Sequence, residues 1–92
     1  MYLILDGQAI GDRETLHDTL SQQLSLPEYY GRNLDALYDC LTDLQEPLDV
    51  IVLHEEELRE ALGGYAGALL QVLKDSAEEN GRIALYEAQA IS

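Results

Sequence analysis

Ninety-two residues, 47% of them apolar, are enough for one domain with its own core and leave little room for a second site. Eighteen acidic against five basic side chains give a net charge of −13, which repels nucleic acid and anionic membranes and speeds encounter with positively charged proteins, although solubility is a second reason for such an excess. A single cysteine, Cys40, excludes an intramolecular disulfide framework and a multi-cysteine zinc site; with neither Phe nor Trp, the core must be aliphatic and its large rings tyrosines.

Tyr2 to Leu5 is a short apolar run closed by Asp6-Gly7, the pattern of a buried strand entering a turn. The aspartate comes too early for the apolar stretch of a signal peptide, and no run approaches 18 apolar residues, so a cytoplasmic chain that keeps off membranes is expected. Asp12 suits the N-cap of a helix over Arg13 to Leu24, in which Leu16, Leu20 and Leu24 repeat at i+4 and His17 and Asp18 sit off the stripe. Ser25 to Arg32 reads as a loop crowded with a proline, two adjacent tyrosines and a glycine. Asn33, a favoured N-cap, then opens a helix from Leu34 to about Leu44, with Leu34, Leu37, Leu41 and Leu44 on one side as its core face.

Gln45-Glu46-Pro47 ends that helix, because a residue before proline is pushed out of the α region. Leu48 to Leu53 follows as a second, largely buried strand. His54 to Leu62 reads as a short helix with carboxylates in its first turn and Gly63-Gly64 as its stop. A longer helix is predicted from Tyr65 to Asn80, its apolar face formed by Leu69, Leu70, Val72, Leu73 and Ala77. Arg82 to Tyr86 is a third strand, and the last residues are expected to fray. Strands separated by helices imply parallel pairing through right-handed crossovers. The expected architecture is therefore a small α/β domain covering residues 1–92, a three-stranded parallel sheet packed by about four helices.

Helix stability does not account for the second helix's solvent side, where Asp35, Asp39 and Asp43 step along at i, i+4 and i+8, with Thr42 among them and Tyr38 at the edge. Like charges at that spacing disfavour a helix by roughly 0.2–0.5 kcal/mol, and only Asp35, in the first turn, gains from the dipole. One reading is the solvated face of an acidic chain. The other is a docking surface for a basic partner framed by Tyr29, Tyr30 and Tyr38, since aromatic residues are enriched at interfaces.

Catalysis has a weaker case. His54, at the carboxyl end of the second strand, could act with Glu55 to Glu57 as acid–base partners or cation ligands. There is no serine elbow, glycine-rich phosphate loop or spaced Cys/His set, and a histidine before an acidic helix start is more often a surface loop residue. Cys40 lies near the apolar side of its helix between Asp39 and Asp43, which disfavour the thiolate, and reads as a buried, inert thiol. No enzymatic activity, cofactor or metal is expected.

Leu26-Pro27-Glu28-Tyr29-Tyr30-Gly31, followed by Asn33-Leu34-Asp35-Ala36-Leu37 and Asp39-Cys40-Leu41-Thr42, strongly resembles the barstar family of intracellular ribonuclease inhibitors. The match is specific over about twenty residues from Leu24 to Asp43 and weaker at Leu16-His17 and Leu70-Gln71-Val72. It implies a non-catalytic inhibitor whose loop and helix plug the active site of a barnase-like guanyl-specific ribonuclease, with carboxylates in the places of substrate phosphates. By position, Asp39 is the phosphate mimic with Asp35 beside it, and Tyr29 packs on the target's catalytic histidine. Gly31 and Asn33 supply backbone and cap contacts, and Asp75 is the nearest match to a further carboxylate on the last long helix.

The same resemblance implies a basic ribonuclease as partner, a monomer when free, and a cis Glu46–Pro47 bond. Tyr38 and Leu44 stand where the best-known member has tryptophans, Arg32 replaces an acidic residue within the docking loop, and Arg82 replaces a second cysteine. These departures leave a different nuclease, or a basic protein without nuclease activity, as alternative targets.

Overall fold

The three apolar runs form strands in the computed structural model, which describes residues 1–87, and burial alternates along the first two. They are β1 (Tyr2–Asp6), β2 (Leu48–Leu53) and β3 (Ile83–Glu87), paired in the order β1-β2-β3 and all parallel. Leu3 lies opposite Val50, and Val50 opposite Leu85. Four helices fill the connections: α1 (Arg13–Leu24) and α2 (Leu34–Thr42) before β2, α3 (Glu55–Leu62) and α4 (Gly64–Glu79) after it. The expected fraying at the C-terminus falls on residues 88–92, outside the described residues.

Each strand follows the previous one on the same side, so two right-handed crossovers place their helices on one face of the sheet. That face carries Leu3, Leu5, Val50 and Val52, which join Leu16, Leu20, Leu37, Leu41, Leu58, Leu69 and Leu73 in an aliphatic core. No described element covers the other face, where Tyr2 is 64% and Tyr86 53% exposed. The expectation of a buried first strand thus holds for one side only. A parallel sheet is ordinarily covered on both.

Local chemistry sets how closely the layers meet. A Cβ at Gly7 would collide with the His54 carbonyl oxygen and crowd the Leu58 nitrogen, so the β1 turn can pass the start of α3 only as glycine. Buried Asn80, just past α4, donates its side-chain amide to the Leu41 and Leu44 carbonyls, both at 3.0 Å, and so satisfies the open end of α2. At the outer edge of β1, the Gln23 side chain accepts from Ile4 N–H at 2.8 Å and donates to the Ile4 carbonyl at 2.9 Å.

Two expectations are corrected. α2 ends at Thr42 rather than near Leu44, because the Leu44 N–H turns tightly back to the Leu41 carbonyl while its side chain still packs against the core. The Glu46–Pro47 bond is trans, as no peptide bond among the described residues is cis. Trans is the intrinsically preferred isomer by about 0.5–1 kcal/mol, and the chain reaches β2 with it, the Leu48 N–H bonding the Arg82 carbonyl at 2.8 Å.

Candidate functional site

The acidic helix begins where its sequence says it should. Asn33 is extended (φ −141°, ψ 170°), and its side-chain oxygen accepts from the Ala36 N–H at 2.8 Å, while the Leu37 N–H bonds the Asn33 carbonyl at 3.0 Å. Asn33 also donates its amide to the Gly31 carbonyl at 3.2 Å. A Cβ at Gly31 would stand 3.1 Å from that amide nitrogen, so glycine lets the loop sit tightly against the first turn. Between them Arg32 occupies the left-handed region (φ 54°), a conformation that disfavours side chains by about 1–2 kcal/mol. Its guanidinium is anchored on α1, 2.7 Å from Asp18 Oδ1 and 3.2 Å from the Glu14 carbonyl.

With the helix fixed, Leu37 and Leu41 point into the core, and Asp35, Asp39 and Asp43 face solvent. No hydrogen bond or ion pair within the described residues engages the Asp35 or Asp39 side chain; Arg32 and Arg59 pair with Asp18 and Glu55 instead. Tyr38 is half-buried where α2 packs against α4, and its hydroxyl pKa is raised by that desolvation and then by the charges of Glu79, Asp75 and Asp39. One phenol therefore senses carboxylates from both helices. Asp75 is exposed and accepts from Gln71 Nε2 at 3.0 Å.

The adjacent tyrosines part company. Tyr29 is 82% exposed beside the acidic helix, whereas Tyr30 is 8% exposed and belongs to the core. It is thus not part of the aromatic frame that the sequence suggested. The Tyr30 hydroxyl lies 2.7 Å from His17 Nδ1, and His17 Nε2 lies 2.8 Å from the Tyr65 hydroxyl. A neutral imidazole has one donor and one acceptor, and a hydroxyl can be either, so both bonds are satisfied without a buried charge. Burial, and then Arg32, lowers the His17 pKa; burial pushes Tyr30 up to about 12.

His17, expected off the apolar stripe, is instead a core residue, 3% exposed. Its signal was its spacing, since 17, 20 and 24 are also helical neighbours. Arg13 completes this region, its guanidinium 4.1 Å from the centre of the Tyr65 ring.

The weaker candidates stay apart. His54 is exposed at the N-cap of α3 in a left-handed conformation (φ 53°) and makes no side-chain cap bond. Glu55, in the first turn, pairs with Arg59 at 3.0 Å. No group of three or more His, Cys, Asp or Glu among the described residues could hold a metal ion. Cys40 is half-buried rather than buried as expected, and burial, followed by Asp39 and Asp43, raises its pKa, which disfavours the thiolate. No helix among the described residues is long and apolar enough to cross a membrane.

Comparison with known proteins gives this arrangement a lineage. The family described as "Barstar (barnase inhibitor)" matches residues 1–88. A Bacillus subtilis (strain 168) protein named "Putative ribonuclease inhibitor YrdF" is 44% identical over 78 residues, covering 84% of this chain and 86% of that protein. On the family match, that identity and the three-stranded parallel sheet with its capped acidic helix, the chain belongs to the barstar family.

Proposed function

We propose that this protein inhibits a barnase-like guanyl-specific endoribonuclease by occupying its active site with loop 26–32 and the acidic face of α2. The observation that carries this reading is the state of the Asp35 and Asp39 side chains: exposed, without hydrogen-bond or ion-pair partners among the described residues, and fixed on a helix capped at one end by Asn33 and closed at the other by Asn80. A ribonuclease must be cationic where it holds RNA, so carboxylates set rigidly in that cleft exploit charges the enzyme needs for its substrate. Asp39 takes the place of a substrate phosphate, with Asp35 beside it and Asp75 contributing from α4. Tyr29 packs on the catalytic histidine, Tyr38 supplies the half-buried apolar edge, and Gly31 and Asn33 present backbone and cap groups. Inhibition is occlusion: no bond is made or broken, no cofactor is involved, and the site of action is the cytoplasm.

Titration into a guanyl-specific ribonuclease cleavage assay tests the reading. Stoichiometric loss of RNA cleavage is expected, weaker at high salt because encounter is electrostatically steered. Unimpaired cleavage at both salt concentrations would refute this target class. Capture of a basic partner that lacks nuclease activity, lost in Asp39→Ala, would move the same face to a non-nuclease target.

A further inference from the structure

The uncovered face of the sheet holds a second constellation, on the side opposite the helices. Tyr2 lies directly across from Asp49, and Ile51, two residues along β2, lies across from Tyr86. These four side chains line an open, largely apolar cup of about 400 Å³. Asp49 sits on the central strand, with one tyrosine on each flanking strand. Neighbouring strands are spaced at about 4.8 Å, so the two tyrosine-bearing strands stand roughly 10 Å apart. Asp49 is half-buried, and no hydrogen bond or ion pair within the described residues engages its side chain.

A carboxylate partly withdrawn from water between two aromatic rings is a poor arrangement for an isolated sheet face. Partial burial weakens its hydration without providing a protein partner. Both rings and the carboxylate, however, attract the same thing. The π-face of tyrosine carries negative potential, and a carboxylate is the best acceptor for a planar, doubly donating cation. A guanidinium fits better than an ammonium, because it can stack flat on a ring, sheds water more readily and donates in a fork matched to two carboxylate oxygens. The chain's net charge of −13 favours approach of a basic protein from any side.

We propose that the uncovered sheet face is a docking site for an arginine side chain of a basic protein segment, held by Asp49 between Tyr2 and Tyr86 over a floor of Ile51. The site lies on the far side of the sheet from Asp35 and Asp39, so it can be filled while the acidic helix is engaged. It depends on neither the ribonuclease reading nor its target.

The test is an NMR titration of the isotope-labelled full-length protein with N-acetyl-arginine methylamide, repeated with the lysine analogue. Saturable shifts centred on Tyr2, Asp49, Ile51 and Tyr86 are expected, stronger for arginine, with affinity falling about fivefold or more in Asp49→Asn and in Tyr86→Leu. Asp35→Asn combined with Asp39→Asn is expected to leave those shifts unchanged, which separates this site from general attraction to an acidic surface. Shifts confined to the acidic helix, or equal binding by Asp49→Asn with its fold intact, would overturn the proposal. So would concentration-dependent dimerisation abolished by Tyr86→Leu, since a second copy would then own the face.

Discussion

Tyr29 and Tyr30 share a residue type and a peptide bond, yet one is turned out to solvent and the other is hydrogen-bonded inside the core. The outward side of α2 and the loop before it keeps carboxylates and a ring unspent: Asp35 and Asp39 are exposed with no side-chain partner among the described residues, and Tyr29 is open to solvent. The inward side spends its own, linking α1, α4 and the loop through Tyr30, His17 and Tyr65. A surface holds unpaired like charges still when the layer beneath is locked by packing and hydrogen bonds. Substitutions on the outer side should therefore change binding and leave stability alone, and those on the inner side the reverse.

Asp39→Ala is the strongest expected break. Affinity for a ribonuclease target falls by about 2–5 kcal/mol, because truncation leaves the target's cations buried and unpaired, and inhibition titration reads the loss. Urea unfolding of the same variant is expected to be unchanged or slightly more resistant, since relieving an i,i+4 repulsion gains roughly 0.2–0.5 kcal/mol. Tyr30→Phe reverses the pattern: it strands a buried nitrogen of His17 and lowers unfolding free energy by about 1–3 kcal/mol, whereas Tyr29→Phe stays within about 0.5 kcal/mol. Equal destabilisation by the two would erase the distinction between the sides.

Acidity probes the inner side without mutation. Burial holds His17 below its ordinary 6.5, so on acidification the unfolded chain takes up this proton before the folded one does. The His17 contribution is complete above pH 6.5 and declines below it, by at most about 1.4 kcal/mol per pH unit, until the folded value is passed. His17→Gln is expected to flatten thermal stability between pH 6.5 and 5. Tyr30 works at the other limit: its ordinary 10.0 is raised to about 12, so stability declines across that interval as the unfolded chain loses the phenolic proton first. The smallest effect belongs to Arg32→Gly. Relief of a left-handed backbone, worth about 1 kcal/mol, is offset by loss of a half-exposed ion pair worth about 0–1 kcal/mol, so the melting temperature moves little and any change in affinity isolates the loop cation.

The sequence disclosed what local pattern encodes. Asn33 announced a helix start, leucines at i+3 and i+4 announced core faces, and short apolar runs between breakers announced strands. The acidic stripe was equally legible, because a one-signed helix face needs no tertiary information. What stayed hidden depended on partners distant in sequence. His17 is a core residue only because Tyr30 and Tyr65 arrive to meet its two nitrogens, and Asn80, in sequence no more than the end of the long helix, closes α2 with its amide from 36 and 39 residues away. The bareness of one sheet face follows from strand order, which single-residue periodicity does not carry.

The glutamine beside β1 has a consequence for self-association. By meeting both the N–H and the carbonyl of Ile4, Gln23 imitates the hydrogen bonding of one residue of an added strand. A foreign chain seeking to extend the sheet there finds its template already occupied, a defence achieved by one side chain rather than by a proline or an outward lysine. Growth of the sheet into fibrils or strand-swapped pairs is thereby steered away from β1.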